Sequence, residues 1–119
     1  MTKIIVCGGR NLADHKVFQW LISNFPQNFP LAHEIIQGGA TGADRAAYLY
    51  ARHAGITYTT FPANWKEYGK AAGMIRNQKM LDYGCDAVLA FPGGVGTAGM
   101  IKIARKANVP VHEITGDFS

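Results

Sequence analysis

The sequence predicts a doubly wound α/β fold: a five-stranded, parallel, Rossmann-like sheet with helices on both faces. Three observations predict it. Short apolar runs of strand length alternate with stretches of helical periodicity along the whole chain. Glycine groups stand directly after the predicted strands, where a strand would turn into a helix. The length, 119 residues, suits one domain, taken here as residues 1–119.

The elements follow in order. Lys3–Cys7 (KIIVC) is an apolar run of the kind that forms a buried parallel strand. Val17, Phe18, Leu21, Ile22 and Phe25 fall on one helical face, with Asp14 as the expected N-cap and Pro26 and Pro30 expected to end the helix. Glu34–Gln37 reads as the second strand. Ala43–Ala54 is an Ala-rich helix closed by Gly55 as the residue after its cap. Thr57–Phe61 is β-prone and turns at Pro62. Ala63–Gly73 has no clean period and is expected to be a loop leading into a helix that ends at Tyr83. Asp86–Phe91 is the next strand, followed by a helix with Met100, Ile103, Ala104 and Ala107 inward and Lys102, Arg105 and Lys106 outward. Val109–Ile114 is the last strand, and Thr115–Ser119 is expected to fray.

Right-handed crossovers favour the strand order 3-2-1-4-5. Ligands in such sheets bind beyond the carboxyl ends of the strands, at the switch point. Here that point lies between the first and fourth strands.

Composition narrows the class. The chain is 48% apolar and 17% charged, which excludes a disordered tail, a coiled coil or a collagen-like repeat. No apolar run approaches the length of a membrane span, and Met1-Thr2-Lys3 runs straight into the first strand. The expectation is a cytoplasmic globule without a membrane partner. Cys7 and Cys85 lie outside any CxxC and read as buried free thiols. His15, His33, His53 and His112 lack metal-ligand spacing, so neither a metal nor a cofactor is called for. The net charge of +4 suits an anionic ligand but is diffuse, clustering only at Lys66, Lys70, Arg76 and Lys79, and does not demand nucleic acid.

Nine of the fourteen glycines fall in three loops, which the expected strand order brings to one rim. The first holds Gly8, Gly9 and Arg10. The second holds Gly38, Gly39, Thr41, Gly42 and Asp44, and the third Pro92, Gly93, Gly94, Val95, Gly96, Thr97 and Gly99. Backbone amides at a helix start form an anion site, and glycine lets a phosphate approach them closely. Thr97 and Thr41 are candidate phosphate donors, Asp44 a candidate acceptor for ribose hydroxyls, and Arg10 a planar donor. Gly94–Gly99 also matches GxGxxG, with Glu113 about 20 residues on, as in a dinucleotide fingerprint. Pro92-Gly93 separates it from its strand and no second mononucleotide half follows, so a dehydrogenase is disfavoured.

Cys7–Arg10, Gly38–Asp44, Phe61–Trp65, Tyr68–Asn77 and Phe91–Thr97, in this order, resemble the YspA-related small proteins of the SLOG superfamily, found in bacteria and their phages. The resemblance implies a Rossmann-like site for a nucleotide or nucleotide-derived small molecule. The superfamily also holds LOG-type phosphoribohydrolases and the DNA-processing protein A domain. By similarity to the LOG-type enzymes, Arg76 in Met74–Met80 would contact phosphate or sugar with Asn77 beside it, and Pro92–Thr97 would form the phosphate loop. The catalytic Glu of the LOG motif PGGxGTxxE has no counterpart, since Ala98, Gly99 and Met100 follow Thr97. Asp44 or Glu67 could stand in for it, and Trp65 with Tyr68 could stack on a base.

The leading expectation, from the three converging glycine loops, is binding of a nucleotide or ADP-ribose-like molecule for sensing or sequestration. An N-glycosidic hydrolase is the alternative, with its catalytic residue unknown, and single-stranded DNA binding is a third. LOG-like relatives commonly pair, which implies a homodimer or higher homo-oligomer.

Overall fold

A computed structural model describes residues 2–119. Its single sheet has five parallel strands in the order β3-β2-β1-β4-β5, as the sequence predicts. The strands are β1 (Thr2–Cys7), β2 (Ala32–Gln37), β3 (Thr57–Thr60), β4 (Ala87–Ala90) and β5 (Val111–Glu113). The helices are α1 (Asp14–Asn28), α2 (Ala43–Ala54), α3 (Trp65–Tyr68), α4 (Ala72–Tyr83) and α5 (Val95–Lys106). A single 3₁₀ turn, Gly69–Ala71, joins α3 to α4.

Alternation along the central strands builds two cores. Ile4, Val6, Ile35, Leu89 and Phe91 point to one face, where Val17, Leu21 and Phe25 of α1 and the alanines of α2 cover them. Ile5, Cys7, Ile36, Val88 and Ala90 point to the other, against Met80 of α4 and Met100 and Ala104 of α5. Alanine on α2 keeps that helix close to the sheet, with Ala43, Ala46, Ala47 and Ala51 all buried. Below the sheet edge, Glu34 is buried and accepts from Thr59 Oγ1 at 2.7 Å and Tyr83 Oη at 2.6 Å. Among the described residues, no helix is long and apolar enough to cross a membrane.

Local expectations need correction in five places. Asp14 is the first residue of α1 rather than its cap, and its carboxylate pairs with Arg45 Nε at 3.2 Å. Pro26 lies inside α1, which runs on to Asn28. Phe25, buried in the core, anchors that last turn, and the Phe29 amide closes it on the Phe25 carbonyl at 2.8 Å. The segment expected as a loop contains α3, started by Asn64, whose side chain accepts from the Glu67 amide at 3.1 Å. Ala107 is exposed, because α5 ends before it and Asn108 takes a positive φ of 61°. The tail does not fray: Phe118 is buried against Phe91, with ring centroids 5.3 Å apart, and its carbonyl accepts from the Ala13 amide at 2.7 Å.

Candidate functional site

The carboxyl ends of β1 and β4 open into a cleft of about 620 Å³, at the switch point of the sheet. Its lining holds Gly8, Gly9, Arg10, Asp44, Arg76, Asn77 and the run Pro92–Thr97, together with Cys7, Asn11, Leu12, Ala40, Met80 and Ser119. Twelve of the residues expected from the sequence therefore meet in one place. Gly38, Gly39, Thr41 and Gly42 do not line it.

These four shape the walls instead. Thr41 Oγ1 donates to the Arg10 carbonyl at 2.8 Å, and with Gly39 the residue lines a separate pocket of about 200 Å³ beside Gln37 and Thr60. Gly42 has φ +74°, and a Cβ there would collide with the Gly9 carbonyl oxygen. The Ala43 amide donates to that same oxygen at 3.2 Å, so the start of α2 is already occupied by the first loop. Gly9 in turn donates from its amide to the Pro92 carbonyl at 2.8 Å, locking the first loop to the third.

Helix α4 staples the other two loops. Arg76 Nη1 donates to the Gly38 carbonyl at 2.9 Å, and its Nε donates to Asn77 Oδ1 at 3.0 Å. Asn77, almost fully buried, passes the link on from Nδ2 to the Gly96 carbonyl at 3.2 Å. A Cβ on Gly38 would overlap the Arg76 guanidinium, so a side chain there would displace the arginine from this position. Arg76 is thus held as a fixed cation in the cleft wall with donors to spare. Among the described residues, neither Arg10 nor Arg76 is ion-paired with a carboxylate.

The third loop differs from the second. Helix α5 begins at Val95 behind Gly94 with no side-chain cap among the described residues, and its first-turn residues Val95, Gly96 and Thr97 line the cleft. A Cβ on Gly94 or on Gly96 would meet nothing within 4 Å, and neither residue has a positive φ. No contact among the described residues requires glycine at these two positions. Glycine inside a helix costs about 0.5–1 kcal/mol relative to alanine, so Gly96 weakens the helix without a packing return. Gly93 is different, since a Cβ there would strike the Thr97 hydroxyl.

Two titratable groups sit at the floor. Burial pushes the Asp44 carboxyl up to about 6, against the pull of the Ala40 amide, the Arg76 charge and the Gly38 amide. Asp44 Oδ2 accepts from the Ala40 amide at 3.2 Å, bracing its own loop. Burial pushes the Cys7 thiol up to about 12, with the Asp44 charge adding to the rise and Arg76 opposing it. A thiol so protonated is a packing group rather than a nucleophile. Asp44 is the only Asp or Glu among the described residues lining the cleft. Glu67 is exposed, accepts from Asn64 Nδ2 at 2.9 Å and does not line it. Met100 is fully buried in the core between α5 and the sheet, away from the cleft lining. No group of three or more His, Cys, Asp or Glu that could hold a metal occurs among the described residues.

Sequence reasoning missed Asn11, Leu12, Ala40 and Ser119, and it assigned Cys7 and Met80, which also line the cleft, to packing. The first three adjoin the glycine loops and carry no periodic signal, and Ser119 reaches the rim only because Phe118 docks. Trp65 and Tyr68 are half exposed and do not line the cleft, although the Arg10 guanidinium stands 5.9 Å from the Trp65 ring centroid.

Comparison with known proteins agrees with this architecture. TM1055, a structural-genomics target solved by X-ray crystallography, shares the fold with a TM-score of 0.67 at 20% identity, over 93% of this chain and 72% of that one. Gene 61 protein of Mycobacterium phage D29 is 34% identical over 118 residues, spanning 93% of this chain and 94% of the relative. The model of one family matches residues 2–68, which include the first two glycine loops and end at the last residue of α3. The chain belongs to that family, the YspA, cpYpsA-related SLOG family.

Proposed function

We propose that this protein binds a nucleotide or a nucleotide-derived, ADP-ribose-like molecule, with a phosphate group at the start of α5. One observation carries the reading: Gly94 and Gly96 border a cleft where an added Cβ would meet nothing among the described residues. A ligand that approaches the backbone closely supplies the reason, and the uncapped first turn supplies its partners. Arg10 and Arg76, neither in a salt bridge among the described residues, add positive charge on the same wall. The remaining cleft has room for a sugar, with Asp44 as the acceptor for its hydroxyls. Binding of this kind serves sensing or sequestration of a nucleotide.

Asp44 also supports a second reading, cleavage of the N-glycosidic bond of a nucleotide. A carboxyl raised to about 6 is poised for proton transfer near neutral pH, and no other Asp or Glu among the described residues lines the cleft. Mass spectrometry on AMP, ADP-ribose and cyclic nucleotides incubated with the protein separates the two readings. Ligand retained intact supports binding. Free base released by the wild type but not by Asp44→Asn supports cleavage. Neither retention nor cleavage contradicts both.

A further inference from the structure

We propose that Trp65 is the base-stacking residue of this site, which makes the preferred ligand a nucleotide with an intact aromatic base rather than a sugar phosphate or inorganic phosphate. The proposal rests on the phosphate position given above and adds to it the part of the ligand that is selected.

Trp65 begins α3, a helix with no buried residue, and half of its surface is exposed. Its indole is nevertheless held in place. The ring lies over the first turn of α4, where a Cβ added to Gly73 would come within 3.3 Å of Cη2, so glycine at 73 lets the indole lie close to the helix. Asn64 fixes the start of α3 from both directions, accepting from the Glu67 amide and donating to the Glu67 carboxylate. A large apolar side chain on a polar, exposed segment buries little against the core, so its packing alone does not explain it.

Arg10 links this indole to the cleft. It lines the cleft, and its guanidinium stands 5.9 Å from the indole centroid, near the outer limit of about 6 Å for a cation–π contact. A phosphate at the start of α5 draws that guanidinium inward, and a base then takes its place over the ring. Stacking on indole is tolerant of base identity but requires a π face, which ribose 5-phosphate lacks.

The test measures binding of AMP and of ribose 5-phosphate by calorimetry, to the wild type and to Trp65→Ala and Trp65→Phe. Circular dichroism and thermal melting check that each variant folds, as an exposed position on α3 leads one to expect. Trp65→Ala should weaken AMP binding by about tenfold or more while leaving ribose 5-phosphate unchanged, and Trp65→Phe should keep most of the AMP affinity. AMP should also change the intrinsic fluorescence of the wild type far more than that of Trp65→Phe, which retains only Trp20. Equal losses for both ligands, or no loss for AMP, overturn the proposal. If AMP and ribose 5-phosphate bind the wild type equally and Gly94→Val abolishes both, stacking fails while the phosphate position stands. If neither binds, both readings fail together.

Discussion

Arg76 and Asp44 meet across a single residue, Gly38. Arg76 Nη1 donates to the Gly38 carbonyl at 2.9 Å, while the Asp44 carboxylate faces the Gly38 and Ala40 amides from the other side. The second glycine loop is thereby clamped between a cation from α4 and an anion from α2, and its shape depends on both.

Replacing Arg76 with Ala should lower stability by about 2 kcal/mol, the scale of a charge-assisted hydrogen bond whose acceptor is left alone. Arg76 also helps keep Asp44 ionised, so the Asp44 carboxyl should rise further in this variant. Urea unfolding gives the first quantity and carboxyl titration by NMR the second. Arg76→Lys should recover little, since a lysine cannot bond Gly38 and Asn77 together.

Gly42 and Gly94 should respond oppositely to a side chain. Gly42→Ala forces a Cβ onto the Gly9 carbonyl oxygen at φ +74°, and should cost about 2 kcal/mol or more in unfolding free energy. Gly94→Val meets open space and loses only a favoured helix N-cap residue, about 1 kcal/mol, so its melting temperature should fall by several degrees at most. Its nucleotide affinity should be lost. Thermal melting and calorimetry on the two variants decide this, and a Gly94→Val protein with wild-type affinity contradicts the assigned phosphate position.

Asp44 and Glu34 give stability opposite dependences on pH. Because the Asp44 carboxyl is raised from 3.8 to about 6, the folded chain takes up a proton before the unfolded chain does. Its contribution is therefore complete below the unfolded value and is lost as pH rises through about 6, a difference of about 3 kcal/mol. Asp44→Asn should remove this term, which urea midpoints at pH 4, 5, 6 and 7 will show as a flatter profile. For Glu34, burial pushes the carboxyl up, but hydrogen bonds from Tyr83 and Thr59 and the charges of Lys3 and His33 outweigh it and hold it below the usual range. The stability from Glu34 is thus present above its unfolded value and falls away at lower pH, outside most of the window where Asp44 acts.

The sheet order and the cleft position were legible because both follow from periodicity and from glycines placed after strands. KIIVC and DAVLAF are strands on any reading, and a right-handed crossover leaves few orders for five of them. The same signal could not sort the glycines. Gly42 and Gly94 each open a helix after a strand, and they differ in φ, +74° against −99°, and in what lies opposite, the Gly9 carbonyl or an open cleft. Thr41 and Thr97 look alike for the same reason, yet the Thr41 hydroxyl is spent on Arg10. The order of the tail is not legible in the sequence, because Phe118 is one residue in a segment without a period. Its order comes from Phe91 and from the Ala13 amide, both remote in sequence.

Amide chemical shifts test the central claim most directly, because they report the backbone that is said to hold the phosphate. Adding AMP to the ¹⁵N-labelled protein should move the amides of Val95, Gly96 and Thr97 most, with smaller changes at Gly9, Arg10 and Arg76 Nε. Gly94→Val should remove these changes while leaving the rest of the spectrum in place. Shifts centred on another face of the sheet, or none at saturating AMP, would contradict nucleotide binding at this cleft.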